Sequence, residues 1–393
     1  MLNIDKYDPL VLLPDAPLNT RGIWAKTKKF FDEVSCCIDL DELSVGDCGR
    51  LTIKVHDVKF ETCFISRNSD RLLVFLCGPG RRDFDKPCFW RSSYSAYFED
   101  SCLYIDDPCN IVHKFSPTFF WGTNNLSYMD CVVEIVDRFK TVFNISNKNI
   151  IFIGNSNVGL VAMYCASKFS GCKCMALSPQ VNIRIYLKDK NLYENFQNMF
   201  DHNFRDKWRE EYIDVTDGIL ADRESQYFIT SNLACSFDAS QIEYLFKKLN
   251  REIKLGFSEI NNITFYLSYY KVKQPHLFVP LEPFCRRIYD YFFDKNKKLN
   301  YEYDFESLTK EIFWYHKQKD KIQKLTKQDN KKTDQILEYQ AIVEDKDKQI
   351  KKLKKKNKGS SARLMDKYIS QLTLKYTKYG SLLMFIVAIY YIL

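Results

Sequence analysis

Between residues 71 and 294, short runs of apolar residues alternate with longer stretches in which apolar side chains recur every three or four positions. Uninterrupted apolar runs are typical of strands buried on both faces, and the longer stretches are typical of the helices that cover them. The runs predict strands at 71–78, 101–107, 149–155, 173–179, 226–232 and 262–270. The longer stretches predict helices at 128–143, 158–169 and 240–253. We therefore expect an α/β fold with a mostly parallel sheet and helices on both faces.

Two segments depart from this alternation. Residues 49–66 alternate between polar and apolar positions with a period of two, which predicts an antiparallel hairpin at the sheet edge within 49–70. Residues 183–222 are rich in charged and aromatic residues and interrupt the alternation between two strands. This second segment predicts a helical cap inserted into the domain, which we expect to span residues 1–305.

From residue 306 to residue 358 the pattern becomes that of a long, lysine-rich helix. Apolar side chains follow a heptad frame, with Asp329, Lys332 and Lys346 at the remaining core positions. The frame consists of Ile322, Leu325, Ile336, Tyr339, Val343, Ile350 and Leu353. Polar core residues weaken a coiled coil or fix its register. Two interpretations stand: a weak, register-specific coiled coil, and a solvated single helix that acts as a spacer.

Residues 359–393 form an apolar tail. Apolar and aromatic residues between Leu364 and Tyr376 recur at helical spacing, which predicts an amphipathic helix, and residues 381–393 carry no charge. A helix of that final length spans about 20 Å, short of the hydrocarbon core of about 30 Å. The tail therefore predicts membrane association, either embedded from one side or spanning by extension back to Tyr376. A C-terminal helix buried against the rest of the protein is the third interpretation.

Composition limits the function classes. Of the 393 residues, 46% are hydrophobic and 27% are charged, which excludes wholesale disorder and a polytopic membrane protein. The positive charge lies at the C-terminal end of the sequence: residues 317–358 hold 15 lysines against 7 acidic residues, and residues 359–393 add a further +3, so the two segments together carry +11 of a chain whose net charge is +8. The first 316 residues therefore carry −3, and no nucleic-acid partner is expected. The six lysines within 351–358 favour contact with an anionic membrane surface from its cytoplasmic side.

The fourteen cysteines are scattered through the chain. Neither Cys36-Cys37 nor Cys172-x-Cys174 has the spacing of a zinc site, and the start of the chain shows no basic segment followed by an apolar one. These observations predict reduced thiols used as small hydrophobic residues, with no metal and no cofactor.

The segment IIFIGNSNVGLVAMYCA (150–166) carries the clearest chemical motif. A predicted strand runs through Gly154-Asn155-Ser156-Asn157-Val158-Gly159 into a predicted helix, which approximates the G-x-S-x-G turn that exposes a nucleophilic serine above a sheet. Val158 stands where the second glycine is expected. A plain strand-to-helix turn and a phosphate-binding loop are the alternatives, and we predict Ser156 as the catalytic nucleophile.

A nucleophilic serine needs a base and an acid, which follow it along the chain in this fold. His276 follows the last predicted strand, and Asp238 follows the strand at 226–232, so both are predicted catalytic residues. Asp238 could instead cap a helix that begins at Ser240, and His276 could be a surface-loop residue. Asp100, Asp106 and Asp107 are the competing acids.

The loop after the first predicted strand offers groups that bind negative charge. The backbone N–H groups of Asn157 and of Gly78 are predicted to form an oxyanion hole, because glycine lets the backbone approach closely. Arg81 and Arg82 in the same loop suit an anionic group of the substrate, unless they are the solvated end of the loop.

Several segments together form a recognisable set of motifs. They are LLVFLCG (72–78), PCFWRSSYSAYF (87–98) followed by LYIDDP (103–108), FFWGT (119–123), IFIGNSNVG (151–159) and ALSPQVNIRIY (176–186). Over residues 49–295 they resemble a group of bacterial α/β-hydrolase-like proteins associated with synthesis of capsules and other surface polysaccharides. Asp107-Pro108, Trp121-Gly122-Thr123, Ser156 and Pro179-Gln180 match the motifs of that group. Ser178 replaces an asparagine, and residues 271–274 lack the acid that usually precedes the histidine. The resemblance implies an α/β-hydrolase-like fold, and with it we assign substrate contacts to Arg81, Trp121 and Gln180.

Two functions are expected from these features. The first is a serine esterase or acyltransferase, tethered to the cytoplasmic face of the bacterial inner membrane, that acts on a glycan or a lipid-linked glycan precursor. The second is a catalytically inactive scaffold in a capsule-assembly complex, favoured by Val158 and by the missing acid before His276. Expected partners also include a second copy of the chain, through the coiled coil, or capsule-assembly proteins.

Overall fold

A computed structural model of the chain was analysed. It describes residues 31, 34–78, 87–89, 91–114, 118–123, 125–186, 188, 194, 210–269, 275–277 and 282–293. The chain divides into two compact units, Met1–Gln318 and Lys319–Leu393, and every described residue belongs to the first. The predicted coiled coil at 306–358 and the predicted tail at 359–393 lie outside the described residues. Among the described residues, no helix combines the length and the apolar character needed to cross a membrane.

The described residues form one sheet of ten strands with the order β1-β2-β3-β5-β4-β6-β7-β8-β10-β9. The strands are β1 (Val34–Asp39), β2 (Gly49–Val55), β3 (Val58–Ile65), β4 (Leu72–Cys77), β5 (Ser101–Asp106), β6 (Ile150–Asn155), β7 (Lys173–Leu177), β8 (Gln226–Asn232), β9 (Gly256–Ile260) and β10 (Ile263–Ser268). All neighbours pair in parallel except β2 with β3, β3 with β5, and β10 with β9. The expected mostly parallel sheet is therefore present, and only β3 and β9 run against the others.

The predicted hairpin at 49–70 is present as β2 and β3, but it does not form the edge of the sheet. β1 pairs in parallel with the outer side of β2 and is itself the outermost strand. The hairpin expectation was wrong on this point because β1 is partly exposed, so its sequence lacks the continuous apolar run that marks a buried strand.

Eight helices are present among the described residues, with four short 3₁₀ helices at Leu40–Glu42, Ser92–Tyr97, Asn147–Asn149 and Pro275–Leu277. The α-helices are α1 (Pro108–His113), α2 (Tyr128–Val142), α3 (Asn157–Ser167), α4 (Ile183–Tyr186), α5 (Glu210–Ile213), α6 (Thr216–Ala221), α7 (Ser236–Leu249) and α8 (Glu282–Phe293). α4, α5 and α6 lie in the predicted cap at 183–222, whose central part is outside the described residues. Helix α7 begins four residues before the predicted start at Ser240.

Successive side chains of the central strands enter two separate cores. In β4, Leu72, Val74 and Leu76 pack into one core, and Leu73, Phe75 and Cys77 pack into the other. The first core contains buried side chains of α2, α3 and α7, and the second contains those of α8 and of the 3₁₀ helix Ser92–Tyr97. Helices therefore cover both faces of the sheet, which explains why these strands are apolar at every position.

The strand order creates a crevice at one edge of the sheet. The chain leaves β4 toward β5 on one side and leaves β6 toward β7 on the other side, so the connections diverge between β4 and β6. Ligands of parallel α/β sheets bind at such switch points, outside the carboxyl ends of the strands. Gly78 follows β4 there and Ser156 follows β6.

Candidate active site

Ser156 occupies the turn between β6 and α3 with a strained backbone. Its φ of 59° and ψ of −125° lie in a region that non-glycine residues rarely adopt. The turn is held by hydrogen bonds, since the Ser156 N–H donates to the Leu177 carbonyl at 2.9 Å and its own carbonyl accepts from Gly159 N–H at 3.0 Å. Such strain persists only where the surroundings impose it, and it is common at functional sites. The turn has the conformation expected of an elbow that presents a serine hydroxyl.

The glycines around Ser156 are required by close backbone contacts. A Cβ on Gly154 would lie 2.1 Å from the Val158 carbonyl oxygen, and a Cβ on Gly159 would lie 2.8 Å from Pro179 Cβ. Val158, which breaks the expected motif, is buried, and a Cβ on Gly78 would lie 3.1 Å from its Cγ2. The missing side chain at Gly78 thus leaves room for the valine. Val158 is compatible with an intact elbow.

His276 lies in the short 3₁₀ helix Pro275–Leu277 beyond β10. Its Nε2 is 2.8 Å from Ser156 Oγ. The loop that carries it is tied to the end of β8, because Asn232 Nδ2 donates a hydrogen bond to the Pro275 carbonyl at 3.2 Å. The side chain is partly exposed, so the imidazole can exchange protons with a bound substrate. The alternative of a plain surface-loop histidine does not fit this contact.

Asp238 lies in the first turn of α7 and is 1% exposed. Its Oδ1 is 2.7 Å from His276 Nδ1. Burial raises the pKa of the Asp238 carboxyl above its ordinary value, and the hydrogen bond from His276 opposes this rise. Because α7 begins at Ser236, Asp238 is inside the helix and does not cap it.

Ser156, His276 and Asp238 together have the geometry of a Ser-His-Asp catalytic triad. A carboxylate on Nδ1 holds the ring in the tautomer whose Nε2 can accept the serine proton.

The competing acids have structural partners in other places. Asp107 caps α1 by accepting from the Cys109 N–H, and its other oxygen accepts from Thr118 Oγ1 and the Phe120 N–H, both at 2.6 Å. Asp106 accepts from the N–H of Cys88. Asp100 accepts from Ser69 Oγ and from the Tyr289 hydroxyl. No hydrogen bond to His276 is recorded for any of the three, whereas Asp238 makes one.

A cavity of about 310 Å³ opens beside Ser156 and His276. Gly78 and Asn157 line it, and a Cβ on Gly78 would lie 3.2 Å from Asn157 Oδ1, so the two predicted oxyanion-hole residues are adjacent. Gln180, a predicted substrate contact, also lines the cavity, and its Oε1 is buried without a hydrogen bond among the described residues. The predicted nucleophile, base, oxyanion-hole residues and one predicted substrate contact therefore surround a single cavity.

Trp121 was predicted to contact substrate, and the structure places it in a different environment. It is 7% exposed, belongs to the core that contains α2 and α3, and is not among the described residues that line the cavity. Its segment forms a turn, since Gly122 has a φ of +91° and the Thr123 N–H donates to the Leu126 carbonyl. The prediction was wrong because an aromatic residue in a short motif can fill a core as well as a binding site. Arg81 lies outside the described residues.

Several lining residues were not predicted from the sequence. Phe75, Tyr186 and Phe237 supply apolar surface, and the Phe237 ring meets the His276 ring edge-on with centroids 6.4 Å apart. Arg91 and Asn155 supply polar groups. Asn155 directly precedes the nucleophile in the sequence, so its place beside the cavity could have been inferred from the turn, as that of Asn157 was. Arg91 precedes a 3₁₀ helix, Tyr186 ends α4 and Phe237 lies in the first turn of α7, and none of the three carries a sequence signal.

Cys235, Asp238 and His276 each present a donor atom within 4.8 Å of the others, a group that could hold a metal ion. Burial raises the pKa of the Cys235 thiol, which disfavours the thiolate that a metal requires. The ring nitrogen of His276 that faces this group is already bonded to Asp238. The arrangement fits a triad with a neighbouring thiol better than a metal centre.

No known protein family and no curated protein matches the chain. Solved structures with a similar fold include a capsule O-acetyltransferase of Neisseria meningitidis serogroup A, which is 13% identical with a TM-score of 0.41 over 65% of this chain and 99% of that one. A Pyrococcus furiosus esterase is 13% identical with a TM-score of 0.41, over 63% of this chain and 90% of that one. A Pyrococcus horikoshii acylaminoacyl peptidase is 12% identical with a TM-score of 0.42, over 68% and 45%. Similarities at this level assign no substrate and no reaction to this chain.

Proposed function

We propose that this protein is a serine esterase or acyltransferase whose nucleophile is Ser156. The observation that carries the proposal is the continuous hydrogen-bond chain from Ser156 Oγ through His276 to Asp238, at 2.8 and 2.7 Å, on a strained turn beside a cavity. A serine hydroxyl is a weak nucleophile until a base takes its proton, and the chain supplies that base.

The first half of the reaction forms an acyl-enzyme. Ser156 Oγ attacks the acyl carbonyl carbon while its proton passes to His276 Nε2, and the negative charge moves to the carbonyl oxygen. The backbone N–H groups of Asn157 and Gly78 stabilise that oxyanion, together with the positive end of the α3 dipole. Collapse of the intermediate breaks the bond to the leaving alcohol, which takes the proton from His276. Asp238 stabilises the imidazolium in between.

The second half removes the acyl group. Water or an acceptor hydroxyl gives its proton to His276 Nε2 and attacks the acyl carbon, and Ser156 leaves with a proton returned from His276. Water as the acceptor makes the protein an esterase, and a sugar hydroxyl makes it an O-acyltransferase. The same residues serve both outcomes.

We propose a bacterial surface glycan, or its lipid-linked precursor, as the acceptor or substrate. The proposal is supported by the resemblance of the sequence to proteins associated with capsule synthesis. The motifs that carry this resemblance are Asp107-Pro108, Trp121-Gly122-Thr123 and Pro179-Gln180. The lysine-rich segment 351–358 and the apolar segment 381–393 support a tether to the cytoplasmic face of the inner membrane, where lipid-linked precursors are found.

The inactive-scaffold alternative depended on two sequence features. Val158 in the elbow is accommodated against Gly78, and the acid absent from 271–274 is supplied by Asp238 from α7. With both features explained, no observation on the described residues favours a scaffold over an enzyme.

The test is hydrolysis of 4-nitrophenyl acetate by the full-length protein and by Ser156→Ala. The variant should fold normally and lose activity by about a thousandfold or more, as removal of a triad nucleophile does. Ser240→Ala, which removes an exposed hydroxyl of α7, is the matched control and should keep full activity. Wild-type activity in Ser156→Ala would refute the proposal.

A further inference from the structure

Arg91 presents a cation to the cavity in a fixed orientation. It precedes the 3₁₀ helix Ser92–Tyr97 with a φ of 63°, a conformation that an arginine rarely adopts. Its guanidinium carbon lies 4.8 Å from the centroid of the Tyr94 ring, and Nη1 donates to the Tyr94 hydroxyl. Tyr94 is 5% exposed and belongs to the core that contains α8, so the platform under the arginine is rigid. The side chain is held in place before any ligand arrives.

Within the part of the chain that the structure describes, no carboxylate balances the charge of Arg91. Among the described lining residues, Arg91 is the one permanently charged side chain, and no described carboxylate pairs with it. Its Nε is buried without an acceptor among the described residues. A buried donor on a charged group costs stability if it stays unpaired, so an arginine kept in this state is suited to an anionic ligand.

We infer that Arg91 is a specificity-determining residue that binds an oxyanion of the substrate, a carboxylate or a phosphate. The planar guanidinium offers several N–H groups that match both oxyanions, and only Nη1 is recorded as a donor, to Tyr94, so further N–H groups of the guanidinium remain for a ligand. The inference rests on the proposed function only in taking the cavity as the place where the substrate binds.

The first experiment compares charged and neutral esters with the full-length protein. The substrates are 4-nitrophenyl acetate, 4-nitrophenyl hemisuccinate and 4-acetoxybenzoate, of which the last two carry a carboxylate on the acyl side and on the alcohol side. In Arg91→Gln, kcat/KM for at least one anionic ester should fall by about tenfold to a hundredfold, because one charge-assisted hydrogen bond is lost. The value for the neutral ester should fall much less, because that ester offers no charge for Arg91 to bind, so the ratio of kcat/KM for the anionic ester to that for the neutral ester should fall by about tenfold or more.

Arg91→Lys keeps the charge and loses the planar pair of donors, so its loss for the anionic ester should be intermediate. Arg50→Gln removes a partly buried arginine of β2, three strands away from β4 in the sheet, that pairs with Glu61, and it should leave the preference between esters unchanged. Circular dichroism melting curves confirm that each variant is folded.

The second experiment does not depend on turnover and tests whether the site binds phosphate. Binding of inorganic phosphate to the full-length wild type, Arg91→Gln and Arg50→Gln is measured by titration calorimetry at low salt. Binding that is lost in Arg91→Gln and kept in Arg50→Gln supports the site even if no ester is hydrolysed. The inference is overturned if the folded Arg91→Gln variant keeps both the ester preference and the phosphate affinity of the wild type.

Discussion

The three residues of the triad come from three separate connections. Ser156 follows β6, Asp238 lies in the helix after β8, and His276 follows β10. In the proposed function each depends on its neighbours: the strained turn carries the serine, burial isolates the aspartate, and the partly exposed histidine is able to exchange protons. The chemistry we propose is therefore a property of the contacts and not of any one residue.

Asp238→Asn should lower kcat far more than it changes KM. The asparagine can keep the shape of the contact but cannot stabilise the imidazolium, so a loss of roughly a thousandfold or more in kcat is expected. Steady-state kinetics on 4-nitrophenyl acetate provide the measurement.

Asp107→Asn is the matched comparison, because Asp107 holds α1 and the segment 118–120 in place. It should lower the melting temperature, and the fraction that stays folded should keep its turnover. Our assignment of the acid would be wrong if Asp107→Asn lowered kcat without lowering the melting temperature and Asp238→Asn left kcat unchanged.

Asp238 should also make stability depend on pH in a definite direction. Burial raises the pKa of its carboxyl in the folded state above the ordinary value of 3.8, so the folded protein binds this proton more tightly than the unfolded chain. The contribution of the protonated carboxyl to stability is therefore complete below pH 3.8 and is lost as the pH rises through the higher folded pKa. The free energy of unfolding of the wild type, minus that of Asp238→Asn, should fall with rising pH.

Urea unfolding of both proteins between about pH 3 and about pH 6 measures this difference. The exposed Asp137, on α2, provides the control variant Asp137→Asn, for which a smaller pH dependence is expected. If the free energy of unfolding of the wild type minus that of Asp238→Asn instead increased with pH, the ionised carboxylate would stabilise the folded state, contrary to the effect of its burial.

Chain order predicted which three side chains would lie together, because in this fold the nucleophile, the acid and the base follow three different strands in that order. The same reasoning could not locate Arg91, since the loop that carries it follows no rule of order or spacing. It also misplaced Trp121, because a short aromatic motif does not show whether the ring faces a core or a cavity.

At the scale of elements, the six strands predicted from continuous apolar runs agree with β4, β5, β6, β7, β8 and β10 to within two residues at each end. These strands are central and buried on both faces, which imposes the uninterrupted pattern. β1 and β9 were not predicted. They are the two outermost strands of the sheet, each with one neighbour, and their residues are largely half-buried or exposed where the structure describes them.

The elbow depends on the lack of a side chain at Gly154. A Cβ there would lie 2.1 Å from a backbone oxygen of α3, and no rotamer change can relieve that contact. Gly154→Ala should therefore lower the free energy of unfolding by about 3 kcal/mol or more and abolish activity in the folded fraction. Chemical denaturation and ester hydrolysis measure the two effects.

Gly46→Ala is the matched control, because no atom lies within 4 Å of the added Cβ. Its stability should change by less than about 1 kcal/mol. Equal stability of the two variants would show that the turn is not as tight as its geometry requires.

At the scale of the whole molecule, the sequence divides into a body of 316 residues and a basic C-terminal region, residues 317–393. The first 316 residues carry a net charge of −3, and the positive charge and the uncharged apolar segment lie beyond them. We propose that the tail supplies the membrane affinity, because the lysines of 351–358 contribute about 1 kcal/mol each near an anionic leaflet and the apolar segment adds burial.

Deletion of residues 359–393 should move the protein from the membrane fraction to the soluble fraction and leave hydrolysis of a soluble ester unchanged. Fractionation of cells at low salt, with immunodetection of both forms, makes the measurement. A full-length protein that is soluble at low salt, or a truncated body that still sediments with membranes, would contradict the proposed tether.

The central claim is that Ser156 is an activated nucleophile, and covalent labelling tests it most directly. The full-length protein is treated with a fluorophosphonate probe, and the modified peptide is identified by tandem mass spectrometry. We predict one adduct on Ser156, abolished in Ser156→Ala, strongly reduced in His276→Ala and unchanged in Ser240→Ala. An unlabelled wild-type protein, or labelling that persists at wild-type level in folded His276→Ala, would contradict the account.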